Sequence, residues 1–72
     1  MADDNKKYSE AGLALLKANL GYFGTEIPEE LRTYLQSLME YAFNEFAEMK
    51  VQLTPGTLND DMDQMVYAAW MY

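Results

Sequence analysis

Two groups of carboxylates are the side chains of this chain whose spacing could do chemistry. Asn59, Asp61 and Asp63 stand at the first, third and fifth places of an EF-hand-like calcium loop. That loop needs Gly at its sixth place for the sharp turn and a bidentate Glu at its twelfth. Gln64 and Trp70 occupy those places instead. Capping and dipole complementarity at a helix start account for the acids without a cation. The second group is Glu40, Glu45 and Glu48. A di-iron bundle needs Glu-x-x-His pairs, and a glycosidase pair needs a cleft around its substrate. The chain has no His and no Cys. Imidazole bases, Ser-His-Asp triads, Cys-His dyads, ordinary zinc sites and disulfides are thereby excluded. The glutamates read as a solvated face. No catalytic, metal-binding or cofactor-binding residue is assigned, and the chain is not expected to be an enzyme.

The elements that position these residues are three apolar periodic segments separated by two punctuated loops. The first helix is expected over about 9–20. Leu13, Leu16 and Leu20 share one face, Ser9 can cap the start, and Gly21 suits a left-handed end. Residues 1–8 are expected to be flexible. In the loop from Gly21 to Ile27, the side chains of Tyr22, Phe23 and Ile27 should tuck against the core. The second helix is expected over about 28–49, with Pro28 at its first position and Glu29 and Glu30 at the positive end of its dipole. Leu31, Leu35, Leu38, Ala42, Phe46 and Met49 follow a three-four spacing. At 1.5 Å per residue such a helix is roughly 33 Å long. It needs both other helices, or another subunit, to cover it. Thr54-Pro55-Gly56 marks a turn. Thr57 or Asn59 can then cap a third helix over about 60–72, with Met62, Met65, Val66, Ala69 and Trp70 on one face. These segments predict an all-α fold, a small bundle of three main helices in a single domain.

From Val66 to Tyr72 every residue is apolar or aromatic. A helix apolar all round is buried all round. Either the chain continues past this uncapped end or a partner covers it. Size argues the same way. A fold of 72 residues buries only roughly 60% of the surface its unfolded chain exposes. Small folds usually add a disulfide, a metal or an oligomer contact, and here the oligomer contact remains. Half of the residues are hydrophobic, including six Met, six Tyr, three Phe and one Trp. Part of that load should lie at an interface. Tyr in particular presents an apolar body and a polar tip, which suits half-buried contact sites.

Twelve Asp and Glu against five Lys and Arg give a net charge of −7. Duplex DNA binders neutralise phosphates with Lys and Arg, and stacking on single strands needs a basic groove. Acidity permits mimicry of DNA or the lining of a channel through which DNA slides without adhering, and charge alone implies neither, since many soluble proteins are acidic. The N-terminus has no apolar stretch followed by a small-residue cleavage site. The longest apolar runs are too short to span a bilayer, so a cytoplasmic chain is the starting expectation.

In order, Leu15-Leu16-Lys17-Ala18-Asn19-Leu20-Gly21-Tyr22, Pro28, the Leu-rich stretch to Met49, Val51-Gln52-Leu53, Asn59-Asp60-Asp61 and Met65-Val66-Tyr67-Ala68-Ala69-Trp70-Met71-Tyr72 form a familiar pattern. The chain from Tyr8 onward resembles the small head–tail connector, or adaptor, proteins of tailed phages and prophages. The resemblance implies a helical subunit of a homo-oligomeric, dodecameric ring beneath the portal protein, in the virion neck at the head–tail junction. Such a subunit is made in the bacterial host cytoplasm. It would extend the DNA channel, meet a neck or tail-completion protein below, and have no catalytic site. The resemblance also implies a basic tail after the aromatic helix that contacts the portal, and the sequence reaches only Tyr72.

Tyr34, Tyr41, Val51, Leu53, Tyr67, Trp70, Met71 and Tyr72 are assigned to subunit or neighbour contacts, Val51 and Leu53 through the Val51–Thr57 loop. Leu13, Leu16, Leu20, Leu31, Leu35, Leu38, Phe46, Met62, Met65 and Val66 are assigned to the monomer core. The alternative is a small acidic regulatory or inhibitor protein that binds a basic partner surface as a monomer or dimer.

Overall fold

The computed structural model describes residues 7–22 and 26–72. Three helices follow one another: α1 (Glu10–Asn19), α2 (Glu29–Glu48) and α3 (Leu58–Met71). There is no strand among the described residues. The fold is an all-α three-helix bundle, as periodicity predicts. Phe23 and residues 1–6 lie outside the described residues.

Local chemistry explains each boundary. Ser9 is extended, and its Oγ accepts from the Gly12 N–H at 2.9 Å, capping α1. Gly21 sits at φ +94. Its N–H donates to Ala18 O at 3.0 Å and the Tyr22 N–H to Lys17 O at 2.9 Å. This is a Schellman ending, which satisfies carbonyls that the helix leaves unpaired. Pro28 stands just outside α2 as its N-cap, extended at ψ 152, rather than at its first helical position. The far end of α2 repeats the Schellman pattern with the wrong residue for it. Lys50 takes φ 67, donating to Ala47 O at 2.9 Å while Val51 donates to Phe46 O at 2.8 Å. A side chain in the left-handed region costs about 1–2 kcal/mol, and the two bonds hold it there.

Before α3, the Thr57 N–H donates to Thr54 O at 3.1 Å and Gly56 has φ +99. With Pro55 in second place this is the pattern of a type II turn. Thr57 is the N-cap, but its side chain makes no capping bond. Asp60 and Asp61, from within the helix, brace the preceding turn instead. They reach back to accept from the Thr54 N–H at 2.8 Å and the Gly56 N–H at 3.1 Å.

Packing centres on α3. Both α1 and α2 meet it more extensively than they meet each other. Leu13, Leu16, Leu35, Leu38, Met39, Ala42, Met65 and Ala68 form the core, with Leu20, Ile27 and Leu31 partly buried against it. Tyr8 joins that core, so the flexible N-terminal segment expected up to residue 8 gives way there to packed structure. Leu53, assigned to a partner contact, is only 3% exposed. The connector carries it inward, and Val51 alone of that pair faces out.

The inward stripe of α3 is Asp61, Gln64, Met65 and Ala68. Periodicity had placed Met62, Met65, Val66, Ala69 and Trp70 inward. The helix is turned by one residue, about 100°, from that expectation. Met62 and Val66, assigned to the core, are exposed, Val66 at 58%. Two buried polar side chains hold this rotation. Asp61 is 2% exposed, and its Oδ2 accepts from Ser9 Oγ at 2.8 Å. Ser9 thus caps α1 and pins it to α3 with one hydroxyl. Gly12 leaves the space required: a Cβ there would lie 3.1 Å from Met39 Cε and 3.3 Å from Asp61 Oδ1. Gln64 Nε2 donates to Lys7 O at 2.7 Å and to Met39 O at 2.8 Å, joining the N-terminal segment, α2 and α3. Its Oε1 has no partner. Swapping its amide ends would set an oxygen against two carbonyls, so the arrangement is fixed.

Candidate functional site

Turning α3 inward on Asp61 and Gln64 turns its apolar residues outward. Leu58, Met62, Val66 and Trp70 recur every four residues, and all four are exposed, Trp70 at 79%. Together they form one inclined ridge along the helix, the kind of ridge that packs into the groove of another helix. Large apolar side chains left contiguous on the surface of so small a fold make this face the candidate interaction surface.

At its C-terminal end the ridge becomes an aromatic groove. Phe46 meets Tyr67 edge to face, with ring centroids 5.7 Å apart and planes at 67°. Tyr67 stacks on Trp70 at 6.0 Å and 19°. With Val66 and Asp63 these rings line an open groove of about 540 Å³ between α2 and α3. The Tyr67 hydroxyl points to Glu45 Oε1 at 3.5 Å. Loss of water, then the Glu45 carboxylate, the nearby Tyr41 phenol and the hydrogen bond to Glu45 raise the Tyr67 pKa above the usual phenol value. At the other end of the ridge, Leu58 borders a smaller recess of about 400 Å³ shared with Ala11, Ala14, Leu15, Gly56 and Asp61.

The residues assigned to contacts from sequence separate into groups. Tyr67 and Trp70 come together in the groove, with Tyr41 beside Tyr67. Tyr34 and Tyr72 meet elsewhere, their ring centroids 6.0 Å apart. Tyr72 shares a hydroxyl–hydroxyl bond of 2.7 Å with Tyr22, which, with burial, raises the Tyr72 pKa. Tyr41 and Val51 are exposed. Met71 is partly buried, packed against the core.

Leu58, Met62, Val66, Phe46 and Asp63 belong to the surface, and the sequence reading did not place them there. Their signal is present as the four-residue recurrence ending in Trp70. It is hidden because the inward stripe of the same helix contains Asp61 and Gln64. Among the described residues no group of three or more Asp or Glu converges as a metal site. Asp61 turns inward and Asp63 outward, so the calcium-like spacing does not gather its acids. No described helix is long and apolar enough to cross a membrane.

Comparison with protein-family models, with curated proteins and with solved structures finds no match to this chain.

Proposed function

We propose that this chain is a structural assembly subunit, a head–tail connector that forms a homo-oligomeric ring beneath the portal in the neck of a tailed phage or prophage. The ring extends the DNA channel and joins head to tail. The exposed ridge Leu58–Met62–Val66–Trp70 carries this reading. A chain of 72 residues gains most from burying such a ridge against copies of itself, since its own core is small. The two ends of the ridge differ, a recess lined by small side chains at one and projecting aromatics at the other. Rings close through two unlike patches on each subunit, and the exposed Met62 stretch of the ridge and the recess beside Ala11 and Ala14 offer two. The net charge of −7 suits a channel wall that must not hold its DNA. The sequence pattern from Tyr8 to Tyr72 supplies the assignment to the phage neck.

Native mass measurement of the chain, alone and with a portal ring, tests the proposal. The expected result is a closed oligomer in at least one condition, lost in the Leu58→Ser/Met62→Ser variant while its helical circular dichroism persists. A wild-type monomer that ignores portal rings refutes it. That result favours the second reading, an acidic regulatory or inhibitor protein for a basic partner surface, for which the carboxylates Asp63 and Glu45 beside the aromatic groove speak.

A further inference from the structure

The aromatic groove at the C-terminal end of α3 differs in chemistry from the rest of the ridge. Three rings, Phe46, Tyr67 and Trp70, stand within 6.0 Å of their neighbours in sequence along the groove. Trp70 offers most of its surface to the outside. Asp63 forms part of the wall, one turn before Tyr67, and Glu45 stands at the Tyr67 hydroxyl. Among the described residues no Lys or Arg lines the groove. Aromatic faces attract cations through the ring quadrupole, Trp most strongly, and flanking carboxylates add direct charge attraction. The apolar walls at Phe46 and Val66 suit the methylene stem of a long cationic side chain.

We infer that this groove receives an Arg or Lys side chain from a basic helical segment of a different protein, its cationic head over Trp70 and Tyr67 and beside Asp63. This rests on the reading of the α3 face as an interaction surface and assigns one end of it to a partner other than a second copy. A second copy also carries −7, so seating it here opposes like charges at Asp63 and Glu45. A basic segment removes that repulsion and uses the rings. Leu58, Met62 and the recess beside Ala11 and Ala14 remain for contacts between like copies.

Trp70 is the single tryptophan of the chain, so its fluorescence reports this groove alone. The probe is an amphipathic helical peptide of Leu and Arg, with the same peptide bearing Glu in place of Arg as control. The Arg peptide is expected to shift Trp70 emission to the blue, saturably and less at high salt, and the Glu peptide to leave it unchanged. Asp63→Asn should weaken binding about three- to fivefold, the scale of a partly exposed ion pair. Glu30→Gln makes the same change in net charge at the opposite end of α2, 15 residues from Glu45, and should leave binding unchanged. No shift with the Arg peptide overturns the inference. So does equal weakening by Asp63→Asn and Glu30→Gln, which is general attraction to an acidic protein. A blue shift on concentrating the chain alone also overturns it, because a second copy then fills the groove. Loss of peptide binding with native oligomers intact refutes the groove assignment only. Loss of oligomers with peptide binding intact refutes the ring only.

Discussion

Replacing Asp61 with Ala tests whether a buried carboxylate sets the orientation of α3. Asp61 accepts from Ser9 Oγ at 2.8 Å and from the Gly56 N–H at 3.1 Å. Hydrogen bonds to a charged acceptor contribute about 1.5–3 kcal/mol each. Gly56 is exposed and Ser9 half-buried, so water can partly replace the lost acceptor at both. Removing the carboxylate also removes the cost of holding it away from water. The expected net loss is about 2–3 kcal/mol. Stability of about 0.05–0.15 kcal/mol per residue makes that a large fraction of the whole. The melting temperature should fall by about 10–20 °C. Ser9→Ala should cost about 1 kcal/mol for the lost helix cap, and more because it also leaves Asp61 Oδ2 without its donor. Since the two side chains share one bond, the double variant should be less destabilised than the sum of the singles, by about 1 kcal/mol or more. Urea unfolding followed by far-ultraviolet circular dichroism, compared at constant denaturant slope, measures all three. If Asp61→Ala lies within about 0.5 kcal/mol of wild type, or the two changes simply add, the Ser9–Asp61 contact does not hold α1 on α3 and the reasoning fails.

Three further outcomes are expected. Gln64→Glu sets a carboxylate against the Lys7 and Met39 carbonyls that Gln64 Nε2 now bonds. It should cost about 3 kcal/mol or more at neutral pH, with the deficit shrinking as pH falls and the new carboxyl protonates, as urea titrations at pH 4 and pH 7 will show. Lys50→Gly should stabilise by about 1 kcal/mol, since Lys50 sits at φ 67 and glycine carries no steric cost there; a higher urea midpoint is the readout. The raised pKa of Tyr67 means that the folded state keeps its phenol proton more tightly than the unfolded chain. Its contribution is whole below the ordinary value of 10.0 and is lost as pH rises through the folded value. Stability should therefore fall above about pH 10, and less steeply in Tyr67→Phe, with Tyr72, also raised, sustaining part of the slope.

The sequence by itself determined the three helices, because spacing, caps and turn residues act over a few neighbouring positions. Ser9, Gly21 and the Pro55-Gly56 turn stand where local backbone chemistry requires them. The cores of α1 and α2 were legible for the same reason: leucines at three-four spacing have one side to bury. Tertiary structure alone decided which side of α3 faces inward. Periodicity counts apolar residues, and α3 has enough of them to form two stripes. The choice was made by Asp61 and Gln64, which find partners on Ser9, Lys7 and Met39, far away in the chain, besides the nearby Gly56. A polar residue is inexpensive to bury only where such partners wait, and no local pattern announces them. The same choice put Leu58, Met62, Val66 and Trp70 on the surface, and its Gln64 bond to Lys7 O holds the segment in which Tyr8 is buried. Which of the aromatic and apolar side chains reach the surface followed from two hydrogen-bonded polar side chains.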